Sequence, residues 1–145
     1  MALSLKKHPM PEQDPAVRAQ NFDEVALGYD EETAVAEAER CLHCKVPLCR
    51  QGCPVGVDIP GFIDRIKARD YAGAIAVIKE TNALPAVCGR VCPQENQCEK
   101  NCVLAKRGEA VAIGRLERFA ADWDLAREQT IPPITYADDA QRVAV

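Results

Sequence analysis

Apolar residues recur at three- and four-residue spacing through the middle and later parts of the chain, with polar capping residues just ahead of each run. Asp58 precedes Ile59 and Pro60, and Phe62, Ile63 and Ile66 then share one face, which predicts a helix with proline in its first turn. Asp70 caps a second helix whose apolar side carries Ala74, Ile75, Val77 and Ile78 and which ends before Asn82 and Pro85. After Gly108, a third helix is predicted over 111–124, with Ile113, Leu116, Phe119, Ala120 and Trp123 turned inward; Trp123 reads as a core anchor. Nearer the start, Asp30 followed by Glu31 and Glu32 favours a helix N-terminus, and Ala34, Ala36 and Ala38 extend it to Arg40.

Between these helices the pattern breaks down. Residues 1–29 hold Pro9, Pro11 and Pro15 and one apolar patch, Phe22, Val25, Ala26 and Leu27. They predict an extended arm that packs on a surface, with a short helix near its end. His8 has no metal-spaced companion and is expected to be exposed. Between 45 and 59, Pro47, Gly52, Pro54 and Gly56 favour turns over regular structure. The pattern is lost again after Asp124, where Pro132 and Pro133 suggest a linker, and Arg142, Val143, Ala144 and Val145 look like the beginning of a buried strand. The expected organisation is an arm over 1–29, a helical domain over 30–124, and a linker with a first strand over 125–145.

A chain of 145 residues suits one domain with a modest core, and with 5% aromatic residues that core is built mainly from Ala, Val, Ile and Leu. The net charge of −4 argues against a nucleic-acid surface. Residues 1–10 lack an apolar signal region, and the longest apolar run, 72–78, falls far short of the roughly 18 residues of a membrane span. A soluble, reducing, cytoplasmic setting is therefore expected, in which clustered cysteines point to metal rather than disulfides.

All eight cysteines lie between 41 and 102, in two runs. The first reads Cys41-x2-Cys44-x4-Cys49-x3-Cys53-Pro54 and the second Cys88-x3-Cys92-Pro93-x4-Cys98-x3-Cys102. Each run has enough thiolates for one iron-sulfur cubane, at little loop-closure cost. The shared element Cys-x3-Cys-Pro also ends the bacterial ferredoxin motif, whose last cysteine serves the other cluster, so ligation need not follow the runs. Cys88 and Cys92, like Cys98 and Cys102, are four apart and share a face if the backbone is helical; Pro93 makes a helix start near Gln94 credible for the second pair. His43 sits between two cysteines and is expected in a supporting or exposed role. Lys45, Arg50, Arg90, Lys100, Lys106, Arg107, Arg115 and Arg118 flank the cysteines and read either as charge compensation or acidic-partner docking, or as solvated positions. Two other readings compete with electron transfer: a structural zinc module for assembly, which Cys41-x2-Cys44 alone would fit, and a cysteine-nucleophile enzyme, which lacks a His and Asn/Asp signature.

Three stretches carry a family resemblance. Glu39-Arg40-Cys41-Leu42-x-Cys44-Lys45-x-Pro47-x-Cys49, then Gly52-Cys53-Pro54-Val55-x-Val57-Asp58-Ile59-Pro60, resembles the N-terminal iron-sulfur domain of the glutamate synthase small subunit. So do Asn82-x-Leu84-Pro85-x-x-Cys88-Gly89-Arg90-Val91-Cys92-Pro93 and Ile113-Gly114-x-Leu116-Glu117-Arg118-Phe119. The same domain occurs in flavin subunits of electron-bifurcating transhydrogenases and sulfide dehydrogenases and at the N-terminus of dihydropyrimidine dehydrogenase. The resemblance implies an all-α fold, a small helical bundle of the alpha-helical ferredoxin type whose loops hold two 4Fe-4S clusters. It also implies an N-terminal piece of a longer oxidoreductase, whose FAD and NADPH domains follow and which works with a large or catalytic partner subunit. No residue of the chain is then catalytic, and its task is to pass electrons between the flavin/NADPH unit and that partner. By the same resemblance, Cys41, Cys44, Cys49 and Cys102 hold one cluster, and Cys53, Cys92 and Cys98 hold the other with Glu117 as fourth donor and Cys88 a buried neighbour. Donor softness alone prefers Cys88 over Glu117.

Overall fold

The computed structural model describes residues 4–127, and within them the fold is all-α, with no strand. Seven α-helices follow in order: α1 (Pro15–Arg18), α2 (Glu31–Ala38), α3 (Leu48–Gln51), α4 (Ile59–Lys67), α5 (Tyr71–Lys79), α6 (Pro85–Val91) and α7 (Ile113–Ala126). Two 3-10 turns, Gln94–Asn96 and Val103–Lys106, lie between α6 and α7. The linker and strand expected towards the C-terminus fall outside the described residues from 128 onward, and α7 itself runs through Leu125 to Ala126.

The caps explain where the helices begin. Asp30 accepts from Thr33 N at 2.7 Å and Asp70 from Gly73 N at 2.9 Å, satisfying backbone donors that a helix start otherwise leaves orphaned. Asp58 stands at the N-cap of α4 without a side-chain cap bond, and Pro60 sits in the first turn. Arg69, at φ +58, adopts the left-handed conformation that ends α4 and turns the chain into α5.

The core lies where α4, α5 and α7 meet, with α2 laid against α4 and α6 along α7. Phe62, Ile63, Ile66 and Ile78 are fully buried, and Leu116 and Ala120 of α7 close over them. Removing each large side chain from water contributes roughly 1.5–3 kcal/mol. Tyr71 packs edge-on against Phe119, with centroids 5.1 Å apart, and against Trp123 at 5.7 Å. Trp123 is therefore a half-buried member of the core edge, with the Arg127 guanidinium over its outer face at 4.8 Å.

Beneath the N-terminus of α7 sits a polar network that the sequence did not announce. Glu37 and Arg40, at the end of α2, are 0% and 2% exposed and form an ion pair with each other. Glu37 also accepts from Ala112 N at 2.8 Å and from His8 N at 2.9 Å, and the His8 ring lies 2.8 Å from it. Arg40 donates to Ser4 O at 3.0 Å, Ala110 O at 3.1 Å and Glu109 O at 2.6 Å. Glu99 is buried as well; it pairs with Lys7 and accepts from Gly114 N at 3.3 Å. Two carboxylates thus face the positive end of the α7 dipole. His8, expected to be exposed, is a half-buried member of this network, because Glu37 draws both its backbone N–H and its ring inward.

The arm is held differently from expectation. Its short helix, α1, lies mid-arm at Pro15–Arg18 rather than near the end, because Asp14 caps Ala16 N and Pro15 opens the turn. Around it the chain doubles back through an antiparallel bridge, with Gln13 N on Val25 O at 2.9 Å and Leu27 N on Pro11 O at 2.8 Å. Phe22 of the apolar patch points fully into solvent. Arginines do the docking instead: Arg118 donates to Ala26 O at 2.8 Å, Arg115 to His8 O at 2.9 Å, and Arg90 pairs with Glu24 at 2.8 Å and Asp122 at 2.8 Å. These three cations are not simply solvated; they fasten the arm to α6 and α7. Two turn-rich predictions also change. Leu48–Gln51 forms the short helix α3, and the stretch 94–102 is a 3-10 turn followed by hydrogen-bonded turns rather than an α-helix.

Replacing Arg40 by Ala leaves Glu37 buried without its counter-ion and is expected to destabilise the metal-loaded protein by about 3–5 kcal/mol, measured as an earlier urea midpoint.

Candidate metal centre

Cys41 lies three residues past α2, its N–H bonded to Ala38 O at 3.0 Å, so the turn that Arg40 anchors at the helix end also fixes the first thiol. His43, at φ +46, turns the chain sharply and brings Cys44 round. Its own side chain is exposed and stands 4.0 Å from Asp64. Pro47 opens α3, which carries Cys49, and Cys53 follows in the turn after it. Cys102 comes from the far end of the second run, just before the 3-10 turn Val103–Lys106.

Four of these thiols meet. Cys41, Cys44, Cys49 and Cys102 line one recess, whose other walls include Leu48, Ile59, Ile63, Leu104, Val111 and Ile113. Three come from the first run and one from the second. The remaining site residues form another group, close enough for their charges to repel: Cys92 with Cys53, Cys88 and Glu117, and Cys98 with Cys53 and Glu117. Each run therefore gives its last cysteine to the other's group.

Glycine at 52 permits this exchange. A Cβ there would stand 2.7 Å from Gln97 O and 2.4 Å from Asn101 Nδ2, so the backbone just before Cys53 lies against the loop that joins Cys98 to Cys102. Gly89, between Cys88 and Arg90, plays the matching part in packing α6 on α7: a Cβ would stand 2.7 Å from Arg118 N.

Electrostatics show what the donors need. Burial, reinforced by the neighbouring Cys41, Cys102 and Cys44, pushes Cys49 up to about 11. Burial likewise raises Cys41, lifts Cys92 to about 11 with help from Cys88, and lifts Cys98 to about 12 with help from Glu99. The shift is opposite in direction to the lowered pKa that a reactive nucleophilic thiol needs. Clustered, desolvated sulfurs become stable thiolates when a cationic centre offsets their charge. Glu117 is pushed up to about 7 by burial, against the hydrogen bond it accepts from Asn82 Nδ2 at 2.7 Å. Cys88 Sγ faces Asn82 Oδ1 at 3.6 Å, so this one amide touches both Glu117 and Cys88.

Among the described residues, no three His, Cys, Asp or Glu side chains converge closely enough to hold a single metal ion. Four thiolates on one zinc would lie within about 4 Å of each other. A multi-iron core takes its thiolates at separate corners, and the donor set, soft sulfurs in an apolar recess, fits such a group.

The chain matches the family described as dihydropyrimidine dehydrogenase domain II, 4Fe-4S cluster, over residues 18–129. It belongs to that family. Among curated proteins it is 42% identical over 113 residues to the glutamate synthase [NADPH] small chain of Halomonas elongata, covering 77% of this chain and 24% of that one. It is 39% identical over 119 residues to the Azospirillum brasilense small chain, covering 79% and 25%. Against the NAD-dependent dihydropyrimidine dehydrogenase subunit PreT of Escherichia coli the identity is 42% over 106 residues, covering 72% and 26%. The chain spans about a quarter of the length of these relatives. Family membership makes it an iron-sulfur domain of the 4Fe-4S type. No described helix is long and apolar enough to cross a membrane.

Spacing and propensity gave no role to four contributors: Glu37, Arg40, Glu99 and Asn82. The first three lie among ordinary surface-type charges in the sequence, and an Asn three residues before a helix-starting proline reads as a turn residue; Arg40 and Asn82 entered only as part of the motifs that carry the resemblance.

Gly52→Ala is expected to keep helix content by circular dichroism while introducing about 1–3 kcal/mol of packing strain between the two runs. Iron bound per chain after anaerobic reconstitution should fall accordingly.

Proposed function

We propose that the chain is an electron-transfer module with two 4Fe-4S clusters, one held by Cys41, Cys44, Cys49 and Cys102, the other by Cys53, Cys92 and Cys98 with Glu117 as fourth donor. The observation that carries this reading is the recess in which thiols of both runs meet between apolar walls. Bound there, such clusters take up and release one electron at a time without proton chemistry. The protein's part is to supply the donors, to keep water from the sulfurs with Leu48, Ile63 and Leu104, and to hold distant segments in one geometry.

In this reading no side chain acts as general acid, base or nucleophile. Electrons pass between a flavin/NAD(P)H unit and a partner subunit, in keeping with the nicotinamide cofactors named in the relatives' descriptions. FAD and NADPH belong to the remaining three quarters of such a protein, and the setting is the reducing cytoplasm. A structural zinc module remains the competing reading, and it is disfavoured by the absence of a single-ion site among the described residues.

Anaerobic reconstitution should give about eight irons and eight acid-labile sulfides per chain, the content of two cubanes. A colourless protein with zinc and no labile sulfide would establish the structural module instead. Between the two candidate donors, Glu117→Ala should alter the spectrum of one cluster while Cys88→Ser leaves both unchanged. The reverse pattern would transfer the assignment to Cys88.

A further inference from the structure

We infer that Asn82 selects Glu117 over Cys88 as the fourth donor beside Cys53, Cys92 and Cys98, an inference that rests on the two-cluster reading. The rival donors stand at opposite ends of one carboxamide. Nδ2 of Asn82 donates to Glu117 Oε1 at 2.7 Å, while Oδ1 faces Cys88 Sγ at 3.6 Å. The amide cannot turn round, because Oδ1 also accepts from Leu84 N at 3.0 Å and the NH2 must then point the other way. The residue is 7% exposed, and its own N–H is bonded to Ile78 O at 3.0 Å, so it moves with the end of α5.

The two donors are treated oppositely. Glu117 accepts from no other donor among the described residues, so Asn82 alone orients its carboxylate and leaves Oε2 for a metal. Cys88 faces an oxygen that only accepts; that oxygen matches an S–H and not a metal-bound sulfur. Thiolate is the softer donor and takes iron readily where it is free to reach it. Asn82 offsets that preference from a position touching both groups, which makes it a positioning residue.

The test compares anaerobically reconstituted wild type, Asn82→Ala, Asn82→Asp and Asn82→Ala/Cys88→Ser by iron and sulfide content, by the EPR spectrum of the reduced protein and by midpoint potential. Asn82→Asp keeps the side-chain shape and the acceptor for Leu84 N, so the turn survives, and replaces the donor with an anionic oxygen that repels Glu117. The signal of the Cys41 group reports correct folding in every variant. Both single variants should retain wild-type iron content, and one of the two cluster signals should change in g values and potential as Cys88 takes over. That new signal should vanish in the double variant. An unchanged spectrum in both single variants, a new signal that persists without Cys88, or loss of that cluster from both single variants would each overturn the role of Asn82. Glu117→Ala separates the two levels: if it changes nothing, the donor assignment falls and the role of Asn82 with it; if it changes one cluster while the Asn82 variants do not, only the role of Asn82 falls.

Discussion

The buried pair of Glu37 and Arg40 is the constraint from which the rest of the architecture follows. Removing two charges from water is costly, and the cost is met here because every polar edge of the pair finds a partner: His8, Ala112, Ser4, Glu109 and Ala110. Those partners belong to two stretches, residues 4–8 and 109–112, far from each other and from the pair in sequence. The pair therefore acts less as a source of stability than as a register pin, joining the chain's first residues, the end of α2 and the approach to α7. Cys41 is the next residue after Arg40, and Glu117 lies one turn into the helix whose start the pair secures. Both thiol groups inherit their positions from it.

A second constraint works through absent side chains. Gly52 lets the first cysteine run touch the backbone of the second, and Gly89 lets α6 lie directly on α7. Close approach of backbones is what allows each run to lend its last cysteine to the other's group. Neither group is then a local loop that opens on its own. Losing either would separate segments that the other also needs, so ligation and folding are coupled through shared geometry as well as through binding energy.

The fold was legible where local chemistry decides it. Asp30 and Asp70 behave as the caps their position suggests, and Phe62, Ile63, Ile66, Ile75, Ile78 and Leu116 are buried as helical spacing requires. Legibility failed where a long-range partner overrides local preference. Arg90, Arg115 and Arg118 look like surface cations until the arm's carbonyls and Glu24 are placed against them. His8 looks exposed until Glu37 is placed beneath it. Leu48–Gln51 is too short to outweigh its flanking prolines and glycines on paper, and Pro85, read as a terminator, opens α6 instead because proline suits either side of a boundary. In the site, cysteine spacing announced the chemistry and the resemblance implied that the two runs cross, but what lets them approach, Gly52 against Gln97, had no local signal.

The recess around Cys41, Cys44 and Cys49 has walls from distant stretches, among them Asn101, Cys102, Val103 and Leu104, and then Val111 and Ile113. Synthesis runs from the amino end. A nascent chain thus presents three bare thiols to the cell some fifty residues before the segment that encloses them has left the ribosome. Oxidation or capture by stray soft metals during that interval is the hazard this topology creates, and it makes timely delivery of iron a matter of biogenesis rather than of the finished fold.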